Sequence, residues 1–274
     1  MGAQLYGRYL DLTVAPLSGG PGLQVKELRV TFDVTKTATS APNAATVQIF
    51  NLNKANRAAV EKKNQAVVLK AGYEDLYGTI LVGTLRRVEH SRSGPDIVSK
   101  LEVRDAGKAL YESEFHRSYS AQTQRLAVVR DLVAALTGVV LGKVDADGLE
   151  GAVGRRLALA GLARVQLDKV CRAWGVEWSV QDNTAQFLDP SGVLHGGNLA
   201  IKLTPTSGLV GSPARTNRGV KCQSLLRPDM LPGSYLVLAD TESCNGNFKA
   251  QKVHHAGDSW GSGQWLTDAE AIRL

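Results

Sequence analysis

The 274-residue sequence has little of what marks several large protein classes. It contains no apolar run approaching the roughly 20 residues of a membrane span, and residues 1–21 lack the basic start and apolar core of a signal peptide, so we expect neither. The three cysteines, Cys171, Cys222 and Cys244, are widely spaced and odd in number. This spacing favours reduced, buried thiols over a disulfide framework or a zinc site.

Charge is abundant but unevenly distributed. Lys and Arg total 32 against 26 Asp and Glu, a net charge of +6. Residues 1–110 carry 15 basic and 10 acidic side chains, residues 111–190 carry 9 and 10, and residues 191–274 carry 8 and 6. The basic excess therefore belongs to the N-terminal third. It permits contact with nucleic acid or an acidic partner without requiring either.

The N-terminal third reads as strands, because its apolar and polar side chains alternate with the period of a half-buried sheet. Asn53 is positioned to cap one short helix. An all-β unit of this size suits a barrel or a sandwich. The predicted elements are strands at 27–34, 45–50, 66–71, 78–89 and 96–103 and a helix at 54–63.

The middle third changes to helical spacing, and the last third returns to strands. We predict that Ser120 caps the first helix and that Gly175 ends the second, which a hairpin follows. The Gly- and Ala-rich segment 138–161 is predicted to be a loop with some marginal helix. The predicted helices are 122–136 and 162–174, the hairpin strands 176–180 and 184–188, the later strands 199–203, 219–226, 234–238 and 248–255, and a final helical turn 267–271.

One stretch matches a catalytic signature. Gly257-Asp258-Ser259-Trp260-Gly261 fits the G-x-S-x-G elbow of serine hydrolases, which needs a strand before it, a helix after it and a later triad histidine. Residues 261–263 (Gly-Ser-Gly) are poor helix material, and no histidine follows Ser259. A glycine-rich turn is the favoured interpretation.

The histidines and carboxylates do not form a metal-binding pattern. His254 and His255 are adjacent on a predicted strand and therefore point to opposite faces. The segment Asp145–Glu150 resembles a calcium loop, but its glycine is fourth rather than sixth. Glu112 and Glu114 fit a solvated face better than an acid–base pair. No Cys, His or carboxylate stands at ligand spacing from the other histidines, His90, His116 and His195.

Nucleotide-binding loops are missing as well. The run Gly19-Gly20-Pro21-Gly22 lacks the Rossmann spacing, and neither Gly107-Lys108 nor Gly142-Lys143 has the earlier glycine of a P-loop. We therefore predict no catalytic, cofactor-binding or metal-binding residue, and no cofactor.

A cluster of arginines, Arg86, Arg87 and Arg92, lies near one predicted hairpin and raises the possibility of a nucleic-acid surface. Aromatic residues make up only 6% of the chain, and the strands near the cluster contain none, although Tyr73 and Tyr77 lie in the preceding turn. The pattern fits contact with phosphates or an acidic partner better than base stacking.

Several stretches resemble the baseplate (tail) hub proteins of bacteriophages. Residues 40–53 (SAPNAATVQIFNLN), with Lys70-Ala71-Gly72-Tyr73 and the strand start at 78–83, resemble the N-terminal tube-like domain of hubs. Residues 208–233 and the ending 252–267 resemble the second tube-like domain. The helix and hairpin at 167–178 resemble the insert between them. The resemblance covers most of the chain, in order.

The resemblance implies a mainly β fold with an α+β insert. Two tube-like β-barrel domains, 1–110 and 191–274, would be separated by a helical and β-hairpin insert domain, 111–190. The stretch Gly257–Trp265 would form the closing turn of a barrel, with its aromatics packed and its glycines tightening the chain.

The resemblance also implies a structural function without catalysis. A homotrimer would present six tube-like units to the six-fold tail tube and a three-fold surface to the central spike, and would line the DNA channel without reading sequence. The implied partners are a tail tube or distal tail ring protein and a spike protein, with tape measure and baseplate wedge proteins as further candidates. The protein would be assembled in the host cytoplasm and reside in the virion tail tip.

Two alternatives stay open on the sequence. The first is a non-specific nucleic-acid-binding β-barrel protein that uses the basic N-terminal third and loses affinity steeply with salt. The second is a cell-wall-degrading tail enzyme, for which Ser259 and Glu177 are the residues to substitute in a peptidoglycan-digestion assay.

Overall fold

A computed structural model describes residues 5–194, 199–261 and 263–274. Strands take up 51% of the chain and helices 15%. The predicted fold class, mainly β with a small helical insert, is confirmed. The division into domains at residues 110 and 190 stays a prediction.

The elements follow the chain in the order β, then α with a hairpin, then β. The strands are β1 (Arg8–Pro16), β2 (Leu23–Val25), β3 (Val30–Thr37), β4 (Ala44–Phe50), β5 (Gln65–Tyr73), β6 (Leu76–Ser93), β7 (Asp96–Arg104), β8 (Glu114–Tyr119), β9 (Val140–Asp145), β10 (Leu157–Leu162), β11 (Glu177–Gln181), β12 (Thr184–Leu188), β13 (Ile201–Leu203), β14 (Leu209–Arg215), β15 (Gly219–Leu225), β16 (Tyr235–Leu238), β17 (Gly246–Asp258) and β18 (Trp265–Arg273). The helices are α1 (Lys54–Val60), α2 (Gly107–Glu112), α3 (Arg125–Ala135) and α4 (Ala163–Trp174).

Strands from both ends of the chain form one 13-stranded sheet. Its main path runs β14-β15-β18-β17-β3-β4-β7-β6-β5-β1-β2, with β16 beside β17 and β13 beside β16. The two halves meet where β17 pairs antiparallel with β3, from Lys252 opposite Thr37 to Asp258 opposite Thr31. The sequence pattern does not predict this shared sheet.

Alternating burial explains why one face of each strand packs on an apolar core. In β3, Val30, Phe32 and Val34 are buried while the residues between them contact solvent. One apolar cluster lies under β1–β7 and also takes in Leu226 and Trp265 from the C-terminal half. A second cluster belongs to the C-terminal strands and a third to the insert.

The insert combines α3 and α4 with two small sheets. Strand β8 pairs with β10, and the hairpin β11–β12 pairs with β9. The hairpin turn has positive φ at Asp182 (51°) and Asn183 (61°), as a two-residue type I′ turn requires. Helix α4 ends at Gly175 in the left-handed conformation, with φ of 70°, as predicted from the sequence.

Three local predictions are wrong. The segment 138–161 contains strands β9 and β10, because each gains a pairing partner distant in sequence, β12 and β8. The tail at 267–271 belongs to strand β18, paired on both sides with β15 and β17, and does not form a helical turn. Helix α3 starts later than expected, after Gln124, so Ser120 is not its cap.

The predicted cap of α1 is confirmed, because the Asn53 side chain accepts the Asn56 amide at 2.8 Å.

The stretch 257–265 comprises the end of β17, the turn that follows it and the first residue of β18; Ser262 lies outside the described residues. A Cβ atom at Gly257 would lie 2.3 Å from the Phe32 ring, so this position needs glycine. Trp265 packs edge-on against Phe32, with ring centroids 5.2 Å apart. Trp260, however, is 61% exposed, so only one of the two aromatics packs as expected.

Candidate functional site

One face of the large sheet is polar and carries charges of both signs side by side. Glu102 lies opposite Arg87 across the β6–β7 pairing, and Lys100 lies opposite Glu89. Glu270 of β18 lies opposite Lys221 on one side and Lys252 on the other. This arrangement, which we call the polar face, covers both halves of the chain. Opposite charges facing each other across strands each contribute a fraction of a kcal/mol, roughly 0.2–1.

His254 joins the two halves at the centre of the polar face. Its Nε2 lies 2.8 Å from Asp33 of β3, and its Nδ1 lies 3.2 Å from Asp268 of β18. Partial burial by itself lowers the pKa of His254, but the hydrogen bonds and charges of the two aspartates outweigh it and raise that pKa above its ordinary value. The two carboxylates therefore stabilise the charged form of this histidine relative to that of an ordinary imidazole.

The predicted arginine cluster divides between two places. Arg86 and Arg87 line a shallow groove of about 470 Å³ with Arg104, and Glu102 and Asp33 line the same groove. Arg87 also forms an ion pair with Glu89. Arg92 lies near the hairpin tip and does not line the groove. Because acidic side chains alternate with the basic ones, the groove lacks the single-sign charge of a phosphate-binding surface.

The insert contacts the sheet through buried charge. The Lys36 side chain is 1% exposed, and its Nζ donates to Asp182 at 2.5 Å in the turn of the β11–β12 hairpin. The other Asp182 oxygen accepts the Val82 amide of β6 at 2.9 Å. Lys36 and Asp182 thus fix the tip of the insert hairpin against the sheet.

Asp105 completes this contact from the end of β7. Its carboxylate accepts the backbone amides of Asp182 (2.6 Å) and Asn183 (2.8 Å). Burial is the main influence on Asp105 and raises its pKa to about 6, although these amides act in the opposite direction. Asn43 is buried beside it and donates to the Val180 carbonyl at 2.9 Å. The hairpin turn is therefore held by side chains from β3 and from the loops that flank β4 and β7.

A second buried lysine holds the other end of the hairpin. Lys249 of β17 is fully buried, and its Nζ donates to Glu177 at 2.8 Å. The same ammonium donates to the carbonyls of Asp189 and Pro190, each at 3.0 Å. Three acceptors satisfy its three hydrogens. Glu177, the carboxylate named for the enzyme alternative, is thus an ion-pair partner of a buried lysine.

Ser259 does not stand on a nucleophile elbow. Its Oγ accepts the Val30 amide at 2.9 Å, and the next regular element is strand β18 rather than a helix. The preceding Asp258 pairs with Arg29, whose Nη2 lies 2.7 Å from it. Burial raises the pKa of Asp258, but its hydrogen bonds from Arg29 and the Trp260 amide bring it below the ordinary value. The serine is a turn residue.

The histidines are separated, as their spacing indicates. His255 points to the opposite side of β17 from His254, where burial, together with the nearby charges of Lys36 and His254, lowers its pKa to about 3. His90 lies 3.2 Å from Glu61, and His116 lies 3.5 Å from Glu114. His195 lies outside the described residues. Over 5–194, 199–261 and 263–274, no group of three His, Cys, Asp or Glu is arranged to hold a metal ion.

The remaining candidates serve local structure. Asp147 to Leu149 of the calcium-like segment form a short 3₁₀ helix, and the Asp147 amide donates to Asp189 at 3.1 Å. Glu112 is exposed and lies 3.9 Å from Lys108, one helical turn away. The glycines at 19 and 20 lie in a turn after β1. A Cβ atom added at either glycine would have no described atom within 4 Å, apart from its chain neighbours. Cys171, Cys222 and Cys244 are free and buried, and burial raises the pKa of Cys171 to about 12 and of Cys222 to about 11.

Sequence reasoning overlooked the two buried lysines. For Lys36 a signal existed, because it stands at the next alternate position after Phe32 and Val34 and so shares their buried face. Lys249 follows Phe248 and precedes Ala250, all three of them buried, so alternation fails there.

In the described residues, no helix is long and apolar enough to cross a membrane.

A family model described as Baseplate hub gp41 matches residues 12–255. Among curated proteins, no sequence gives a significant match.

Several solved structures share the fold, among them the following three. A 43 kDa tail protein of prophage MuSo2 from Shewanella oneidensis superposes with a TM-score of 0.68 at 11% identity, covering 97% of each chain. A tail protein from Neisseria meningitidis MC58 gives 0.66 at 12% identity, covering 98% of this chain and 97% of that one. An Escherichia coli component of the type VI secretion system, described as similar to the T4 tail proteins gp27 and gp5, gives 0.61 at 14% identity, covering 96% and 76%. At such identities the likeness is one of fold alone.

Proposed function

The chain belongs to the baseplate hub gp41 family of structural phage tail proteins, and from that premise we propose that it acts as a homotrimeric hub that adapts the six-fold tail tube to the three-fold central spike. The observation that carries the proposal is the continuous sheet formed by both strand-rich halves through β3 and β17. Three copies would supply six such halves, which can close a ring by repeated contacts.

We further propose that the polar face lines the channel through which DNA passes. Its opposed charges, such as Glu102 with Arg87 and Glu270 with Lys221, present little net charge to a passing phosphate backbone. A wall of one sign would either retain the DNA or repel it. A balanced wall allows passage, and no base-specific contact is required.

The oligomer is tested by mass photometry and electron microscopy of the full chain, alone and with the tail tube and spike proteins. We expect three copies per assembly in the presence of these partners. A chain that stays monomeric and binds neither partner would refute the hub proposal. Binding to the partners with a different number of copies would refute the trimer alone.

The channel surface is tested by thiol labelling of assembled particles that carry Lys252→Cys. Lys252 is exposed on the polar face, and the three native cysteines are buried, so background labelling is low. In the particle we expect reaction with a small maleimide but protection from a bulky polyethylene-glycol maleimide, which a narrow channel excludes. Lys62→Cys, at an exposed position after α1, shows whether assembly blocks labelling in general. Equal access of both reagents to Lys252→Cys in the particle would contradict the proposal.

The two alternatives have direct tests. A non-specific DNA-binding protein would retard duplex DNA at low salt and release it steeply as salt rises; we expect no such retention. We propose that the chain is not an enzyme, and so expect no peptidoglycan digestion by the wild type and no difference in Ser259→Ala or Glu177→Gln.

A further inference from the structure

The insert carries a groove whose lining residues all lie outside the β11–β12 hairpin that contacts the sheet. It has a volume of about 530 Å³ and is lined by residues of α3 and α4 and by the segment 153–157, which leads into β10. We call it the insert groove.

Every charged residue of the insert groove is basic. Arg125, Arg155, Arg156 and Lys169 line it, and no Asp or Glu of the described residues does. This concentration is unexpected, because residues 111–190 carry 9 basic and 10 acidic side chains and have no net positive charge.

Several acidic side chains of the insert have partners elsewhere. Asp131 pairs with Arg117 and accepts the Tyr119 hydroxyl, and Asp168 accepts the Trp178 indole. Glu177 and Asp182 pair with the buried lysines of the sheet. Within the described ranges, none of the four groove cations takes part in an ion pair. Their charge is therefore available to an acidic partner from outside.

The floor of the groove is apolar. Val153 and Val170 are buried beneath it, and the half-buried Trp174 and Leu157 form its walls. The Arg125 guanidinium lies over the Trp174 ring, 5.5 Å from its centroid, and Nη1 donates to the Gly148 carbonyl at 3.0 Å. The groove is thus held in shape before any partner arrives, which lowers the entropic cost of binding.

We propose that the insert groove docks an acidic, amphipathic segment of another protein. Apolar side chains of that segment would cover Leu157, Ala173 and Trp174, and its carboxylates would pair with Arg155, Arg156 and Lys169. Arginine forks suit carboxylates, since each can donate two parallel hydrogen bonds. This docking goes beyond the hub function and does not depend on the number of copies in the hub.

A protein segment fits the groove better than nucleic acid does. Phosphate contacts need no apolar floor, and a single-stranded binder would offer a free aromatic face for stacking. One face of Trp174 is already covered by Arg125. The combination of an apolar floor with a basic rim matches a peptide that carries both kinds of side chain.

The test measures binding of a fluorescein-labelled synthetic peptide, an amphipathic helix of Glu and Leu, to the full chain by fluorescence anisotropy. We expect saturable binding to the wild type and at least about tenfold weaker binding to Arg155→Glu/Arg156→Glu. Ala173→Glu, at an exposed helix position, should weaken binding similarly by placing a carboxylate in the groove. Circular dichroism confirms that each variant is folded.

The matched control is Lys62→Glu/Lys63→Glu, which reverses two adjacent exposed lysines elsewhere and changes the net charge equally. It should bind the peptide as the wild type does. The proposal is overturned if the wild type fails to bind the peptide, or if the control loses as much affinity as the arginine variant. It is also overturned if a peptide with Gln in place of Glu binds equally well, or if short duplex DNA displaces the labelled peptide at a lower concentration than the unlabelled peptide does.

Discussion

The joint between the two halves of the sheet and the joint between the sheet and the insert use ion pairs in opposite surroundings. At the first, His254 lies between Asp33 and Asp268, whose side chains are 63% and 46% exposed. At the second, the Lys36 and Lys249 side chains are each 1% exposed, and their partners Asp182 and Glu177 are 19% and 37% exposed. The first joint also has a continuous backbone ladder between β3 and β17, whereas the second relies on side chains.

Burial determines what each ion pair contributes. Exposed pairs typically add about 0–1 kcal/mol because water screens them. A buried pair gains little net stability when it forms, but removing one partner leaves an isolated charge and costs about 3–5 kcal/mol. We therefore infer that the exposed pairs add little to the stability of the joint between the two halves of the sheet. The buried pairs, in contrast, determine the position of the insert on the sheet. Four substitutions test this contrast, from the largest expected effect to the smallest.

Asp182→Asn should have the largest effect. It leaves the Lys36 ammonium buried opposite an amide, and we expect the free energy of unfolding to fall by about 3–5 kcal/mol. Asn also tolerates the positive φ at this position, so backbone strain does not contribute. Chemical denaturation followed by fluorescence measures the change. The double variant Lys36→Met/Asp182→Asn should recover much of the lost stability. A loss below about 1 kcal/mol in the single variant would contradict the inference that buried ion pairs determine the position of the insert.

Asp105→Asn should cost about 1–3 kcal/mol at neutral pH, because an NH₂ group replaces one acceptor of the buried amides. The wild type should also respond to pH. Since the folded pKa of Asp105 is about 6 and the ordinary value is 3.8, protonation stabilises the fold; this stability is complete below 3.8 and is lost as pH rises through about 6.

Denaturation at pH 5 and pH 7 checks the sign. Between these two pH values the wild type should gain about 1 kcal/mol relative to Asp105→Asn on acidification. If the two proteins show the same pH dependence, Asp105 does not titrate as its surroundings require.

Asp33→Asn should have a small effect on stability, below about 1 kcal/mol, because the pair is largely exposed. It should lower the pKa of His254, since one of two carboxylates is lost. The raised pKa of His254 stabilises the fold below 6.5, and this contribution disappears as pH rises through the folded value. NMR titration of the imidazole measures the change; Asp11→Asn, a carboxylate on β1, serves as the control that should leave His254 unchanged.

Arg87→Ala should have the smallest effect. Arg87 and Glu89 are 64% and 44% exposed, and we expect less than about 0.5 kcal/mol. Thermal unfolding measures the difference. A loss as large as that of Asp182→Asn would remove the distinction between exposed and buried pairs.

The local sequence pattern was sufficient to predict those elements whose conformation depends on their own residues. The alternation in β3, the Asn53 cap, the Gly175 stop and the β11–β12 hairpin all follow from spacing and turn chemistry. Strands β9 and β10 did not, because both lie in a Gly- and Ala-rich segment and exist through pairing with distant partners. The exposed Trp260 shows the same limit, since aromatic character does not reveal which ring finds a pocket.

The sequence by itself determined the mainly β class and the order of a strand-rich, a helical and again a strand-rich segment. Those properties depend on period, composition and short-range spacing, which neighbouring residues carry. Only the tertiary structure decided that the two halves share one sheet at β3 and β17, that two lysines are buried beneath the insert, and that four insert cations converge on one groove. Each of these joins residues far apart in the chain, and hydrogen bonding and burial between such residues are set by the fold as a whole.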